Sequence, residues 1–306
     1  DLVAWHLKSL SPNCYGPSGR LRYSMTVAGS REKIMSNEVF DSEQAAAYYD
    51  NEAISRFYEE CWGGADIHIG RYATGEETVA EASAAMTQYL VDRAGFAAGQ
   101  RVLDIACGFG GTLRILARMG CEARGIDISE NCVDHSRAAA DEAGLGDRID
   151  VAVGDFHTID SEPDSWDAVI CQEAIIHSPD RPKVFAEVFR ILKPGGTFAF
   201  SDILTGEDAD ASMVAAAFAR IGASVGATVG DYEQMARAAG FEVSFVEERA
   251  GDITTHYDKL AEQLEQPIAD LNADAKAAIS QSIGRWQAAL AGDHITWGCF
   301  VARKPA

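Results

Sequence analysis

The chain has 306 residues and 47% hydrophobic content, enough to bury the core of one α/β domain with an added cap. A formal net charge of -21 and a pI near 4.6 repel phosphate backbones and anionic lipid surfaces, so neither nucleic acid nor a membrane is expected as a partner. The acidity reads first as a solvated surface, with adaptation to high salt, where counterions screen dense carboxylates, as the sharper alternative.

Cysteines stand at Cys14, Cys61, Cys107, Cys121, Cys132, Cys171 and Cys299, with no CxxC pair and no Cys/His cluster at metal-ligand spacing. Reduced thiols in a cytoplasm, and no metal, are therefore expected. No stretch approaches the roughly 20 apolar residues of a membrane-spanning helix, and the first residues lack a signal-peptide pattern.

Residues 1 to about 40 read as a loose leader, with Met25 or Met35 a candidate natural start. From Ser42, a candidate N-cap, EQAAAYYDNEAISRFYEE reads as one helix whose apolar side carries Tyr48, Tyr49, Phe57 and Tyr58. The loop CWGGADIHIGRY follows, dense in aromatic and imidazole groups, and then a helix from Glu76 to Ala94. Beyond Gln100 short apolar runs alternate with amphipathic helices: RVLDIAC, GTLRILARMG, EARGIDI, ENCVDHSRAAADEAG, IDVAVGD, WDAVICQ, PKVFAEVFRIL and GTFAFSDIL. This rhythm predicts βαβ units and a parallel sheet. Helical cap insertions are expected over 204–230 and 251–292, with FEVSFVEE and ITWGCFVARK as the last strands.

The most informative local feature is VLDIACGFGGT, a strand ending in a glycine turn that opens a helix near Gly111. Bare backbone at Gly108 and Gly110 allows a ligand close, and a helix N-terminus offers unpaired N–H donors. The next strand ends in GIDIS and sets Asp127 at the carboxyl edge of the sheet, where a carboxylate accepts ribose hydroxyls. The third ends in GDF, with Asp155 near an adenine amino group and Phe156 against the ring face. The fourth ends in CQEAIIHS, directing Gln172 and His177 toward the reacting groups, although His177 also reads as a satisfied core histidine. Dinucleotide enzymes complete G-x-G-x-x-G, which GFGGTL does not.

With D-x-A-C-G-x-G-G, the acid on the second strand, GDF and LKPGG at Leu192 to Gly196, the chain resembles class I methyltransferases. That resemblance implies a Rossmann-like, doubly wound, mostly parallel seven-stranded sheet with helices on both faces, and S-adenosyl-L-methionine as cofactor. It places Asp104, Ala106, Gly108 and Gly110 at the methionine end, Asp127 and Ile128 at the ribose, and Asp155 and Phe156 at the adenine. Many members carry glycine where this chain has Ala106, and a small residue still fits.

From about residue 45 to the end, FYEECWGGADIHIGRY, HSPDRPKVFAEVFRILKPGG, the THY element ending at Tyr257 and ITWGCFVARK resemble the sarcosine/dimethylglycine N-methyltransferase family. The resemblance implies a small amino acid acceptor and glycine betaine as end product; a monomer or homodimer is the expected assembly. Such an acceptor calls for aromatic faces around its nitrogen and a clamp for its carboxylate. Tyr58, Trp62, Tyr72 and Tyr257 are the candidate walls, and His68, Arg71 and Arg220 the candidate clamps, Arg220 ranked ahead of Arg71. Similar loops in phosphoethanolamine and tocopherol methyltransferases keep another acceptor open, and a non-catalytic nucleoside-binding module is the reading from another class.

Overall fold

A computed structural model describes residues 49–219, 221–223, 226–268 and 271–306. The leader over residues 1–40 and the helix start at Ser42 lie outside the described residues. The run after Ser42 does not continue unbroken: Tyr49 is helical, Asp50 turns, and Asn51 caps a new helix, α1 (Glu52–Cys61). The Asn51 side chain accepts the Ile54 N–H at 3.3 Å, offering the backbone the local alternative that asparagine favours at helix starts.

Helix α2 (Val79–Ala94) begins three residues later than the sequence reading, because Thr78 and Glu81 form a reciprocal capping box. It ends at Gly95, at φ 72° in the left-handed region. The core then alternates β1 (Arg101–Asp104), α3 (Gly111–Met119), β2 (Glu122–Asp127), α4 (Glu130–Glu142), β3 (Ile149–Val153), β4 (Trp166–Gln172), α5 (Arg181–Ile191) and β5 (Leu192–Thr205). The remainder is α6 (Ala211–Phe218), α7 (Val229–Ala239), β6 (Glu242–Glu248), α8 (Ala250–Glu265), α9 (Ala273–Ala291) and β7 (Ile295–Arg303).

The seven strands form one sheet in the order β3-β2-β1-β4-β5-β7-β6. Strands β1 to β5 are parallel, and β7 lies antiparallel between β5 and β6. Strand β4 shows how both faces are buried. Ala168 and Ile170 join the core shared with α2, α3, α8 and α9, while Val169 and Cys171 join the core shared with α5 and α7. Sequence order reverses between β1 and β4, and in such sheets the crevice outside the carboxyl ends of the strands at this reversal takes ligands.

Of the expected caps, the first carries α6 and the second is the hairpin of α8 and α9. Helix α8 buries Ile253, His256, Tyr257, Leu260 and Leu264, and α9 answers with Ile279, Ile283 and Trp286. Among the described residues, no helix is long and apolar enough to cross a membrane, and the cysteines are free and buried.

Candidate active site

A cavity of about 310 Å3 opens at the reversal between β1 and β4. Its walls come from successive strand ends: Ile105 and Ala106 after β1, Asp127 and Ile128 at β2, Asp155, Phe156 and His157 after β3, Gln172 and Glu173 at β4. The buried Asp127 carboxylate is fixed by two backbone donors, Gly108 N–H at 2.8 Å and Ser129 N–H at 3.0 Å. Each oxygen keeps a lone pair for a hydroxyl donor. Across the cavity Asp155 Oδ1 lies 2.7 Å from His157 Nδ1, and His157 Nε2 lies 2.7 Å from Ser178 Oγ, which ties the loop after β3 to the loop after β4.

The glycine turn is built differently from the simplest expectation. A Cβ on Gly108 would meet Ile67 at 2.9 Å, and one on Gly110 would meet Ser136 Oγ at 2.1 Å. Both sit in the left-handed region, at φ 49° and 76°. Neither Gly108 nor Gly110 lines this cavity or the smaller one described next: what requires glycine there is conformation, with the approach of Ile67 at Gly108 and of α4 at Gly110. Asp104 also lines neither cavity. It is buried beneath the turn, accepts the Ala106 N–H at 3.2 Å, and burial pushes its carboxyl up to about 7.

A second, smaller cavity of about 30 Å3 is walled by Tyr58, Trp62, Tyr257 and Trp286, with Ile176, Ile203 and Ile221. Its rings form a continuous run: Tyr49 to Tyr58 at 5.9 Å between centroids, Tyr58 to Trp62 at 5.1 Å, and Tyr257 stacked on Trp286 at 4.9 Å. Tyr49, Ile67, Glu173 and His177 line both cavities and so mark their junction. There the Tyr49 hydroxyl lies 3.3 Å from His177 Nε2.

Glu173 escaped the sequence reading, which took its neighbours Gln172 and His177. It follows the last residue of β4 at φ 49°, and this left-handed turn swings its side chain out of strand alternation. The Glu173 Oε2 accepts the Ile69 N–H at 2.6 Å and Oε1 accepts the Trp297 indole N–H at 2.8 Å. Burial raises its carboxyl above the usual range, opposed by His68 and by these hydrogen bonds. The available signal was a carboxylate closing the apolar run WDAVICQE with no basic residue beside it. Tyr49 was legible only as the apolar side of a helix.

The other candidates separate. Tyr58, Trp62 and Tyr257 wall the smaller cavity, whereas His68, Arg71 and Tyr72 line neither. His68 stays behind the wall, its carbonyl accepting the Trp62 indole N–H at 2.9 Å and its Nε2 lying 3.0 Å from Thr87 Oγ1. Arg71 is drawn outward, with its guanidinium 4.7 Å from the centre of the Tyr89 ring. Tyr72 turns to an open cleft beside Arg249, its hydroxyl 3.0 Å from His256 Nδ1. Arg220 lies outside the described residues.

A nucleoside-compatible cleft at the switch point of this sheet, opening onto a small aromatic chamber, defines a class I methyltransferase. Residues 103–200 match the family described as Methyltransferase domain. Dimethylglycine N-methyltransferase of Parasynechococcus marenigrum (strain WH8102) is 34% identical over 267 residues, covering 85% of this chain and 95% of that one. Sarcosine/dimethylglycine N-methyltransferase of Aphanothece halophytica is 31% identical, covering 86% of this chain and 98% of that one. The crystal structure of a protein from Galdieria sulphuraria, assigned as a sarcosine dimethylglycine methyltransferase, superposes with a TM-score of 0.78 at 28% identity, over 83% of this chain and 99% of that one. The chain belongs to the sarcosine/dimethylglycine N-methyltransferase family.

Proposed function

We infer that this protein transfers methyl groups from S-adenosyl-L-methionine to the nitrogen of sarcosine, N,N-dimethylglycine or both, with glycine betaine as the end product. The observation that carries the reading is the junction at Tyr49, Ile67, Glu173 and His177, where a nucleoside-sized cavity meets a small aromatic one. Bound there, the cofactor supplies an electrophilic methyl group on a sulfonium.

The residues present fit that cofactor. Asp127 offers a braced carboxylate to the ribose, Phe156 a half-buried ring to the adenine, and Gln172 Oε1, a buried acceptor with no partner among the described residues, an oxygen to the ammonium of the methionine end. Ala106 and Ile128 shape the wall between them.

In-line attack needs a desolvated amine lone pair aimed at the methyl carbon and asks for no strong acid or base. Tyr49 and His177 hold the acceptor side of the junction through their hydrogen bond. Glu173, immobilised by Ile69 and Trp297, faces the nitrogen on which positive charge develops. Tyr58, Trp62 and Tyr257 present ring faces to the methylated ammonium. A phosphorylated acceptor suits the chamber poorly, since its described wall residues include a carboxylate and no lysine or arginine.

We assign residues 41–306 to the methyltransferase domain, with caps at 204–230 and 251–292, acting as a monomer or homodimer in the cytoplasm. The test is S-adenosylhomocysteine release with labelled methyl donor over a panel of glycine, sarcosine, dimethylglycine and phosphoethanolamine, products identified by mass. Betaine from dimethylglycine supports the reading. Cofactor binding with no methylated product from any acceptor overturns it.

A further inference from the structure

His157 stands on the wall of the larger cavity, directly after Asp155 and Phe156, and both nitrogens of its ring are engaged. Nδ1 lies 2.7 Å from Asp155 Oδ1, and Nε2 lies 2.7 Å from Ser178 Oγ. An ionised carboxylate only accepts, so Nδ1 carries a hydrogen and donates it to Asp155 in either charge state of the ring. The far end of the imidazole is anchored as well: Ser178 is buried, and its Oγ accepts the Asp180 N–H at 3.1 Å. The ring therefore has no polar atom left for a ligand, and what it can do is act on Asp155.

The two Asp155 oxygens are thereby made unequal. Oδ1 accepts the His157 ring N–H and, at 2.8 Å, the His157 backbone N–H, which together occupy its two lone pairs. Asp155 lines the cavity and its side chain is 41% exposed, so any donor it takes from a ligand falls to Oδ2. Backbone bonds hold the turn in place: the Thr158 N–H donates to the Asp155 carbonyl at 2.9 Å, and the Gly154 N–H to the Asp127 carbonyl at 2.9 Å. The second of these ties Asp155 to Asp127, the carboxylate proposed for the ribose. The His157 ring also meets the Phe156 ring edge to face, with centroids 4.7 Å apart at 66°. One side chain thus braces both the acceptor and the ring offered to an adenine.

We propose that His157 is a positioning residue for cofactor recognition: anchored on Ser178, it orients the Asp155 carboxylate so that Oδ2 receives the 6-amino group of the adenine. This rests on S-adenosyl-L-methionine as the cofactor and not on which amine is methylated. An unheld aspartate turns about its side-chain torsions and must be ordered when the ligand binds. With Oδ1 held by two donors from one residue, Asp155 offers a single oxygen already in place, which removes that ordering cost. The selectivity gained is for a purine with a 6-amino group over one with no donor there, because a site built to accept a hydrogen bond rejects the analogue that lacks it.

The test measures calorimetric binding to the full chain of S-adenosylhomocysteine and of its purine riboside analogue, which lacks only the 6-amino group. His157→Phe keeps a flat ring beside Phe156 and removes both nitrogens, whereas His157→Asn keeps a donor near the position of Nδ1. Wild type is expected to prefer the adenosyl ligand by about tenfold or more. His157→Phe should lower adenosyl affinity by about fivefold to fiftyfold with the analogue changed less than about twofold, and His157→Asn should regain most of that loss. If the phenylalanine variant unfolds, Ser178→Ala serves, since it frees the outer end of the imidazole without touching Asp155, and its loss should again be confined to the adenosyl ligand. Equal losses for the two ligands, or no loss for either, overturn the proposal. Equal affinity of wild type for the two also overturns it, because Asp155 then receives no amino group. A wild-type protein that binds neither ligand overturns the cofactor fit itself, and the assignment of His157 with it.

Discussion

The Tyr49 hydroxyl lies 3.3 Å from His177 Nε2 across 128 residues of chain, and both side chains face both cavities. The bond joins the segment before α1 to the short turn Ile175–His177 after β4. It spans the boundary between the cofactor side and the acceptor side.

Tyr49→Phe removes this bond while keeping the ring against Tyr58. A hydrogen bond of this kind is worth about 0.5–1.5 kcal/mol, so kcat/KM for the acceptor falls about three- to tenfold, with S-adenosylhomocysteine affinity unchanged by calorimetry. Unchanged acceptor kinetics would remove the pair from the mechanism.

At Asp127 the carboxylate serves two masters. It is proposed to hold the ribose, and it accepts the N–H groups of Gly108 and Ser129. Asp127→Ala is expected to lower S-adenosylhomocysteine affinity at least about tenfold and to reduce stability by about 1–3 kcal/mol, because two buried donors lose their acceptor. Calorimetry and thermal melting read the two effects separately, and intact affinity would contradict the ribose assignment.

Gly110→Ala tests why glycine stands in the turn. With φ at 76° and a Cβ 2.1 Å from Ser136 Oγ, the substitution is expected to cost about 1–3 kcal/mol, and Ser136→Ala should restore part of it. If the melting temperature held while cofactor affinity collapsed, close approach of the ligand rather than of α4 would be the reason.

His68 gives a pH signature. Burial disfavours its imidazolium, but Asp66, Glu173 and the Ile69 carbonyl together outweigh that cost, so the ring is pushed up from 6.5 to about 9. Between these values the folded protein binds a proton that the unfolded chain releases, so this stabilisation is complete below about 6.5 and disappears as pH rises through about 9. On the order of 3 kcal/mol is at stake over that window. Urea unfolding of His68→Gln against wild type, from pH 6 to 10, should show the difference shrinking as pH climbs; a constant difference would mean the ring is neutral throughout.

Arg71→Ala is expected to leave the acceptor Michaelis constant within about twofold, since the guanidinium lies over Tyr89 and lines neither cavity. A large rise would return it to the site.

The cofactor side was legible in the sequence because its geometry is local. A buried strand followed by a tight turn and a helix puts the residue after the strand at the carboxyl edge of the sheet, so Asp127, Asp155, Phe156 and Gln172 were read one strand end at a time, the family resemblance added Ala106 and Ile128, and all of them line the larger cavity. The parallel sheet with helices on both faces followed from the same alternation of apolar runs and amphipathic helices.

The acceptor chamber was not legible in that way. Tyr49, Glu173 and Trp286 come from the segment before α1, the turn after β4 and the helix α9, and nothing in their spacing announces that they meet. Strand periodicity even assigns Glu173 to the wrong side, since only its left-handed backbone turns it to the junction. His68, Arg71 and Tyr72 looked like pocket chemistry because they crowd one loop, yet hydrogen bonds to Thr87 and His256 and the ring of Tyr89 take them elsewhere. Sequence by itself determined the class of fold and the cofactor edge, because backbone geometry over a few residues repeats wherever the pattern repeats. The tertiary structure alone decided the shape and polarity of the acceptor chamber, because a cavity is what remains after distant side chains have packed, and packing is set by long-range contacts that no local pattern encodes.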